Sequence, residues 1–515
     1  MSIPMPVRAL FVFAALTLVA GPAFAGAAPE AKPGEEELNK GVELFKTKKY
    51  KEALEQFKAA LAKGNSTAEH NIGMFYLSGL GVDADVPTAL TYFQKAADKG
   101  NSGAQLQLAK MNIAGQGMPK SDEKGLDWLN KAIAQNDADA MMFLAALYKE
   151  GQDRDGKGVV PRDLGKFADL YKKAADKGNP EAQYQMGLIC LTGWGVPQDF
   201  AKAALWFKTA GEQGHAAGQY QYALSLQKGV GLAKNEAEAL KWAAKAAEQG
   251  SADGQNWLGE ANRDGLGLPK DAAKAAEWFQ KAADQNHAEA RANLGALYYS
   301  GTGVKQDLAK AAQLYRQAAE QGLASAQLAF ALISINGQGV AINQFDGFRW
   351  MARAAEQGNA QAQHNLGVMF ASGQGVPQDL AQAAAWFRQA VLHGNQDSLL
   401  AYAVMLFQGK GVEKNEAEAY KLMLRAADAG SVQAQTNVGV MLRDGTGVAQ
   451  DLEASLNWLK KAAEAGSSEA ELAVGNAYER GLGVAKNVQT AEEWYKKSLA
   501  HGNQGAKAAL EKMKK

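Results

Sequence analysis

Apolar residues recur along this chain at helical spacing, in short stretches that pairs of glycines interrupt. In the segment 179–214, one apolar stripe covers residues 182–189 and a second covers residues 203–210. Gly193 and Gly195 separate the two stripes, and glycine readily adopts the left-handed backbone that ends helices. The pattern therefore predicts a hairpin of two helices joined by a glycine-containing turn.

The glycine pair recurs every 36 residues along almost the whole chain. The first members of the pairs are Gly79, Gly115, Gly156, Gly193, Gly229, Gly265, Gly301, Gly337, Gly373, Gly409, Gly445 and Gly481. A fixed period of this length is typical of solenoids, in which each repeat packs only against its neighbours. Helix-forming residues dominate and runs of β-branched residues are absent, so the predicted fold class is all-α.

Six residues after the first glycine of each pair, or seven residues after Gly156, comes a residue of the type that caps helices. This row is Asp85, Ser121, Asp163, Asp199, Asn235, Asp271, Asp307, Asn343, Asp379, Asn415, Asp451 and Asn487. A ladder of acids can suggest a metal site, but Asn and Ser replace Asp freely in this row. We therefore interpret these residues as N-caps, whose side-chain oxygens accept backbone N–H groups.

At two further positions of the repeat, the size of the side chain stays similar from repeat to repeat. Seven residues after each cap lies a large side chain, and this row is Tyr92, Trp128, Leu170, Trp206, Trp242, Trp278, Leu314, Trp350, Trp386, Leu422, Trp458 and Trp494. Six residues before each glycine pair lies a glycine or an alanine, as at Gly187, Ala331 and Gly367, and in the third repeat Ala145 takes this place six residues before Gly151. We interpret the large residues as core packing, and the small ones as the place where the two helices of a hairpin approach closely.

These repeats resemble the Sel1-like repeat family, a relative of the tetratricopeptide repeat. The resemblance rests on Gln363-His364-Asn365-Leu366-Gly367, on Gly373-Gln374-Gly375-Val376-Pro377-Gln378-Asp379, and on Trp386-Phe387. It covers residues 65–502 as twelve units, after a tetratricopeptide-like hairpin at 37–64 and before a C-terminal capping helix at 503–515. The resemblance implies a right-handed α-solenoid superhelix of helical hairpins.

The N-terminal segment predicts export. Arg8 precedes an apolar run over 9–20, and Ala23-Phe24-Ala25 fits a signal-peptidase site, so residues 1–25 form a predicted signal peptide cleaved after Ala25. A flexible linker would follow at 26–36, and no later segment is apolar enough to span a membrane. We expect a periplasmic or secreted protein whose single cysteine, Cys190, is a buried hydrophobic residue and not a reactive thiol.

Charge and composition exclude several classes of ligand. The chain has 55 basic and 55 acidic residues without a basic stripe, so no nucleic acid is expected. The histidines that share a repeat position lie at least two repeats apart, on the order of 20 Å, too far for a shared zinc ion. An insertion at 152–158 places Asp153 and Asp155 beside glycine, but Lys157 and Leu164 occupy the positions of calcium ligands. We therefore expect neither a metal nor a cofactor.

An enzyme is the second hypothesis. Ser121-Lys124 and Ser225-Lys228 match the S-x-x-K motif of penicillin-recognising enzymes, and β-lactamase activity has been attributed to some Sel1-like proteins. The accompanying S-D-N and K-T-G motifs are absent, and Ser121 is a predicted N-cap. A β-lactam or peptidoglycan hydrolase remains the alternative, and a polysaccharide-export scaffold is the third hypothesis.

The hypothesis that we prefer is a non-catalytic scaffold that binds a polypeptide. By resemblance to tetratricopeptide arrays, the position two residues before the small one faces the concave side and can grip a peptide backbone. The candidate binding residues are Asn71, Gln107, Gln185, Gln221, Asn293, Asn365 and Asn437. The alternative for these amides is that they solvate the helix or bond within their own hairpin. A second amide row is interpreted as structural and comprises Gln183, Gln219, Gln255, Gln327, Gln363 and Gln435.

Overall fold

The computed structural model describes residues 33–151 and 158–513, which are helical with short turns and contain no strand. They fall into two compact units: unit 1 extends to Gly254 and unit 2 begins at Gln255. The predicted signal peptide and the aspartates of the insertion at 152–157 lie outside the described residues.

Within each unit, antiparallel helices stack in chain order, and each helix packs against the one before and the one after it. The helices are α1 Glu35–Lys46, α2 Tyr50–Ala62, α3 Thr67–Ser78, α4 Val86–Asp98, α5 Ser102–Ala114, α6 Asp122–Ala134, α7 Ala138–Glu150, α8 Leu164–Asp176, α9 Pro180–Thr192, α10 Phe200–Glu212, α11 Ala216–Lys228, α12 Glu236–Glu248, α13 Ala252–Asp264, α14 Ala272–Asp284, α15 Ala288–Ser300, α16 Leu308–Glu320, α17 Ala324–Asn336, α18 Gln344–Glu356, α19 Ala360–Ser372, α20 Leu380–Leu392, α21 Asp397–Gln408, α22 Glu416–Asp428, α23 Val432–Asp444, α24 Leu452–Glu464, α25 Ser468–Arg480, α26 Val488–Ala500 and α27 Gln504–Met513. The predicted all-α fold of stacked helical hairpins is confirmed.

The predicted N-caps begin the second helix of every repeat. Each of the twelve side chains accepts a hydrogen bond from the backbone N–H three residues later. At Asp379, for example, Oδ1 lies 3.0 Å from the backbone nitrogen of Gln382. The capping interpretation is confirmed, because these oxygens are occupied by the backbone groups that a helix start leaves unpaired.

The two glycines of each turn have different tasks. Gly409 ends α21 in the left-handed conformation at φ 67°. Gly411 also has a positive φ of 70°, and a Cβ atom on it would collide with the backbone carbonyl of Leu380 in the preceding hairpin. The first glycine therefore ends a helix, whereas the second allows consecutive repeats to make backbone contact.

The small position lies against the side chain found twenty residues later, on the second helix of the same hairpin. A Cβ atom added to Gly367 would stand 2.6 Å from the Phe387 ring, and Gly73 would meet Phe93 at 2.7 Å. Ala331 faces the thinner side chain of Met351, and both are buried. The predicted close approach of the helices is confirmed, and glycine occurs mainly where the opposing residue is aromatic.

The tryptophan row lies at the edge of the core and not at its centre. Trp242 and Trp350 are buried, whereas Trp128, Trp206, Trp278, Trp386, Trp458 and Trp494 are half-buried and pack over the core. Lysine or arginine three residues later covers several of these rings, as Lys281 Nζ does at 3.8 Å from the Trp278 ring centre. The central position belongs to the next residue, such as Phe279, which is fully buried.

Cys190 lies in α9 and is 4% exposed, as expected for a buried hydrophobic residue. Burial raises the pKa of its thiol, with a smaller contribution from the charge of Asp199. The thiolate is therefore disfavoured at this position.

Candidate binding face and the amide rows

The first helices of consecutive repeats lie side by side and form one face of each unit, here called the first-helix face. In unit 1, Ser102 Oγ of α5 donates to Asp137 Oδ2 next to α7 at 2.7 Å. In unit 2, His364 Nδ1 of α19 lies 2.8 Å from Ser398 Oγ of α21. These contacts join helices of neighbouring repeats directly, so side chains from several repeats meet on this face.

All seven predicted binding residues belong to first helices, and the structure distributes them between the two units. Asn71, Gln107, Gln185 and Gln221 lie in unit 1, and Asn293, Asn365 and Asn437 lie in unit 2. Asn71 is fully buried, whereas the other six are half-buried. A buried amide is inaccessible to a long ligand, so Asn71 differs from the rest of the row.

The amides also differ in how many of their hydrogen-bonding groups are already bonded to other side chains of the protein. Asn293 donates to Asn256 Oδ1 at 3.0 Å and to Glu260 Oε1 at 3.3 Å, and it accepts from Arg263 at 3.0 Å. Its hydrogen-bonding groups are therefore engaged within the fold. Gln185 donates to Glu181 at 2.8 Å, one turn earlier on its own helix.

Two amides of unit 2 keep their donors available. Asn365 accepts from Gln361 at 3.1 Å, while its Nδ2 makes only a 3.9 Å contact to the sulfur of Met351. Asn437 accepts from Gln433 at 3.4 Å, and its Nδ2 has no partner among the described residues. These two side chains can still donate to a peptide carbonyl.

An apolar stripe that the sequence analysis missed runs beside these amides in unit 2. It lies three residues after the amide position, so both occupy the same side of each helix. The stripe comprises Ala296, Leu332, Val368, Val404 and Val440. Leu332 is 39% exposed and Val368 is 43% exposed, which leaves apolar surface available for contact. The fixed spacing was visible in the sequence, but the exposure was not.

The beginning of the first-helix face in unit 1 carries ionisable side chains instead. Burial, with a smaller opposing effect of the Asp137 charge, lowers the pKa of His70 to about 4, so this imidazole is neutral at pH 7. Burial also lowers the pKa of Lys110 and raises the pKa of Asp139. Later in unit 1, Leu188 and Leu224 follow Gln185 and Gln221 at the same spacing, so amides beside apolar residues occur in both units. The exposed apolar side chains of the stripe, Leu332 and Val368, lie in unit 2.

The second amide row is structural, as the sequence analysis proposed. Gln327 Nε2 donates to the backbone carbonyl of Ala319 at 3.2 Å, and its Oε1 accepts from Gln357 at 2.8 Å. Gln183 and Gln219 repeat the same two bonds. Each such glutamine joins its helix to the preceding one and the following one, and its amide is too fully used to bind a ligand.

Some pairs of this row keep the geometry with other chemistry. Glu69 accepts from Lys99 at 2.7 Å, and the Glu471 carboxylate lies 2.9 Å from His501 Nδ1. Leu399 shows that an apolar side chain can also occupy the glutamine position. This position therefore requires a side chain that is complementary to the residue thirty positions later, and that side chain need not be an amide.

A second row of caps, which the sequence analysis did not identify, begins the first helices. It comprises Asn101, Asp137, Asn179, His215, Ser251, His287, Asn359, Ser431 and Ser467. His215 and His287 accept the backbone N–H through Nδ1, which gives both histidines a structural role. The place of this row of caps, 22 residues after the first glycine of a pair and 23 residues in the case of Asn179, was the available signal.

The residues considered for catalysis are engaged in local structure. Ser121 Oγ accepts the backbone N–H of Lys124 as a helix cap, and Ser225 Oγ donates to the backbone carbonyl of Gln221 at 2.9 Å. No group of His, Cys, Asp or Glu side chains with a geometry suited to a metal ion occurs in residues 33–151 and 158–513. None of the helices in the described part of the chain has the length and hydrophobicity of a membrane span.

Comparison with solved structures finds repeat proteins of similar fold. The chain is 31% identical to c5321, a protective antigen of uropathogenic Escherichia coli with an SLR fold, with a TM-score of 0.65, over 82% of this chain and 90% of that one. It is 29% identical to a Sel1 repeat protein from Oxalobacter formigenes, with a TM-score of 0.44, over 48% of this chain and 96% of that one. No match is found among curated proteins.

The family model of the Sel1 repeat matches twelve consecutive segments. They are 66–101, 102–137, 138–179, 180–215, 216–251, 252–287, 288–323, 324–359, 360–395, 396–431, 432–467 and 468–503. The third segment is longer than the others because it contains the insertion. The matched segments cover most of the chain, and the chain belongs to the Sel1 repeat family.

Proposed function

We propose that this protein is a non-catalytic scaffold that binds a polypeptide along the first-helix face of unit 2. The observation that carries the proposal is the combination of open amide donors, at Asn365 and Asn437, with the exposed apolar stripe beside them. Amide side chains suit a peptide backbone, and apolar side chains suit its alternate residues. The Sel1 repeat fold is consistent with protein–protein interaction.

The test uses the chain from Gly26 to Lys515 with an affinity tag, cross-linked in envelope fractions of its own organism. We expect a discrete protein partner that is lost with Asn365→Ala and Asn437→Ala together. The matched control is Gln313→Ala with Gln389→Ala, because both glutamines are exposed on second helices and lack side-chain partners among the described residues. Recovery of glycan alone, or equal recovery with both double variants, would contradict the proposal.

We also propose export to the periplasm or the outside of the cell. The support is the apolar N-terminal segment that precedes Ala25 in the sequence. Mass spectrometry of the protein from periplasmic and culture fractions should find a mature N-terminus at Gly26. An intact N-terminus on protein recovered only from the cytoplasm would refute export.

A further inference from the structure

One dipeptide occurs twice in unit 2 at the same place in the repeat, at the ends of α13 and α23. In both copies the arginine makes two hydrogen bonds to the aspartate that follows it. The bonds measure 2.8 and 2.7 Å in Arg263–Asp264, and 2.7 and 2.9 Å in Arg443–Asp444. The carboxylate fixes each guanidinium through Nε and Nη2 and leaves Nη1 for another acceptor.

In the first copy the protein supplies that acceptor. Arg263 Nη1 donates to Asn293 Oδ1 at 3.0 Å, thirty residues further along the chain. The guanidinium also lies 5.9 Å from the ring centre of Phe279, which is fully buried. The first copy is therefore closed by its own side chains.

In the second copy both of these side chains are smaller. The residue thirty positions after Arg443 is Ala473, and Leu459 occupies the position of the phenylalanine ring. A cavity of about 330 Å³ lies at this place, lined by Arg443, Leu459 and Ala473 among others. Arg443 Nη1 has no hydrogen-bond partner in the described part of unit 2.

The walls of the cavity combine charged and polar side chains, among them Gln450, Ser455 and Asn476, with a smaller apolar part. Arg480 also lines it, where the first copy has Ser300, and this guanidinium has no ion pair among the described residues. Asp444 pairs with Arg443, so Arg480 is the charged side chain of the lining that has no opposite charge within it, while the neighbouring Glu479 outside the lining accepts from Tyr495. The half-buried Leu452 and Leu482 supply the apolar part, since Leu456, Leu459 and Ala477 are buried.

We propose that this cavity binds the C-terminal carboxylate of a peptide whose last side chain is apolar. One carboxylate oxygen takes the place that Asn293 Oδ1 holds in the first copy and accepts from Arg443 Nη1, while Arg480 balances the charge. The last side chain lies against Leu452 and Leu482. The inference rests on the proposed function, since Asn437 lies on α23 six residues before Arg443, and it adds which end of the polypeptide is held there.

The test measures binding of N-acetyl-Ala-Ala-Ala-Leu to the purified chain by isothermal titration calorimetry. We expect the free acid to bind at least about tenfold more tightly than the C-terminal amide, because a charge-assisted pair is lost in the amide. N-acetyl-leucine and inorganic phosphate distinguish a small acid and a simple anion from a peptide end. Both should bind more weakly than the tetrapeptide acid.

Variants that introduce the residues of the first copy of the dipeptide provide the control for folding. Ala473→Asn supplies the missing acceptor and Leu459→Phe fills the apolar part, so each should abolish acid-selective binding while circular dichroism stays unchanged. Arg480→Ser should weaken binding of the acid by about tenfold and leave the amide unaffected. The matched control, Gln389→Ala on α20, should bind as the parent protein does.

Three results would overturn the carboxylate site. They are equal affinity for acid and amide, equal affinity for N-acetyl-leucine and the tetrapeptide, and unchanged binding in folded Ala473→Asn. The assay needs no natural partner, so it can fail while capture still depends on Asn365 and Asn437. In that case the carboxylate site is wrong and the scaffold proposal stands. Acid-selective binding together with equal capture by the parent and the Asn365→Ala, Asn437→Ala variant would support the carboxylate site and refute the binding of the polypeptide along these amides.

Discussion

The side chains that begin the helices satisfy backbone groups that would otherwise lack partners. Caps begin first helices as well as second helices, and Asn, Asp, Ser and His share the task. The sequence showed the second-helix row because it follows the glycine pair closely. The first-helix row is chemically more varied and became evident only from the hydrogen bonds.

Removing a first-helix cap should destabilise the protein locally. Asn179 Oδ1 accepts from the backbone N–H of Ala182 at 2.9 Å. Asn179→Ala leaves this donor unpaired, so we expect a loss of about 1 kcal/mol. Amide hydrogen exchange of α9 measures this loss, and Asn179→Ser should retain most of the protection. Equal protection in the parent and the alanine variant would show that the cap adds nothing.

Acid should weaken the second-helix caps. Backbone hydrogen bonds are the main cause that lowers the pKa of Asp199, Asp271 and Asp379. A lowered folded-state pKa stabilises the fold above the unfolded value of about 4, and the contribution is lost as pH falls through the folded value. Urea midpoints between pH 6 and pH 2, a range of about two units either side of that value, should fall towards acid. The triple Asp→Asn variant should fall less, and identical curves would contradict the assignment.

At the scale of the element, helices are joined by a small number of repeated contacts. The glutamine row connects three helices through one amide, and the small position fits under a ring of the facing helix. In both contacts the two facing residues change together from repeat to repeat, so the repeats show which pairs of residues are compatible. Two predictions use these natural variants as controls.

The glutamine contact should tolerate joint replacement better than single replacement. Gln327→Ala removes one donor from the Ala319 carbonyl, which keeps the backbone N–H of Gly322, and it leaves the Gln357 amide without its acceptor, which should cost about 1–3 kcal/mol. Gln327→Leu with Gln357→Ala copies the apolar pair Leu399 and Ala429, and it should be nearly neutral. Chemical denaturation compares them, and a joint variant as unstable as the single one would contradict this account.

The effect of alanine at a small position should depend on the residue that faces it. In the parent protein, Gly367→Ala places a Cβ atom 2.6 Å from the Phe387 ring, and overpacking should cost about 1–3 kcal/mol. When Phe387→Leu is already present, the same change should stabilise, because alanine favours helix over glycine by about 1 kcal/mol. Urea denaturation measures the change in the free energy of unfolding caused by Gly367→Ala in each background. A change of the same sign in both backgrounds would contradict the proposed contact.

At the scale of the whole molecule, a repeat is a unit that can be removed. Helices contact their neighbours in chain order, so stability is the sum of repeats and interfaces. Within unit 2, deletion of 324–359 would bring Gln363 to the place of Gln327, eight residues after Ala319. The new junction would therefore keep the amide contact.

We expect the chain without 324–359 to fold with unchanged mean residue ellipticity. Deletion of 324–341 removes α17 and its turn but keeps α18, so it should lose helical signal and aggregate because an unpaired apolar face remains. Circular dichroism and gel filtration compare the two deletions. Similar behaviour of both chains would show that the hairpin is not the folding unit.

The sequence by itself determined the elements, because their signals are local and recur twelve times. Helix starts follow cap residues, helix ends follow glycine, and the small position marks the contact within each hairpin. The seven binding amides stay predictions. Their position on the helices follows from the repeat pattern, whereas burial separates Asn71 from the others and hydrogen bonding separates Asn293 from Asn365.

Only the tertiary structure decided which polar groups remain available. Whether an amide is open depends on residues about thirty positions away, which no local pattern contains. The same holds for the cavity beside Arg443, which exists because Ala473 does not reach where Asn293 does. Local chemistry therefore determines the structure of each repeat. The effect of a residue that departs from the repeat pattern depends on the side chains that neighbouring repeats place beside it.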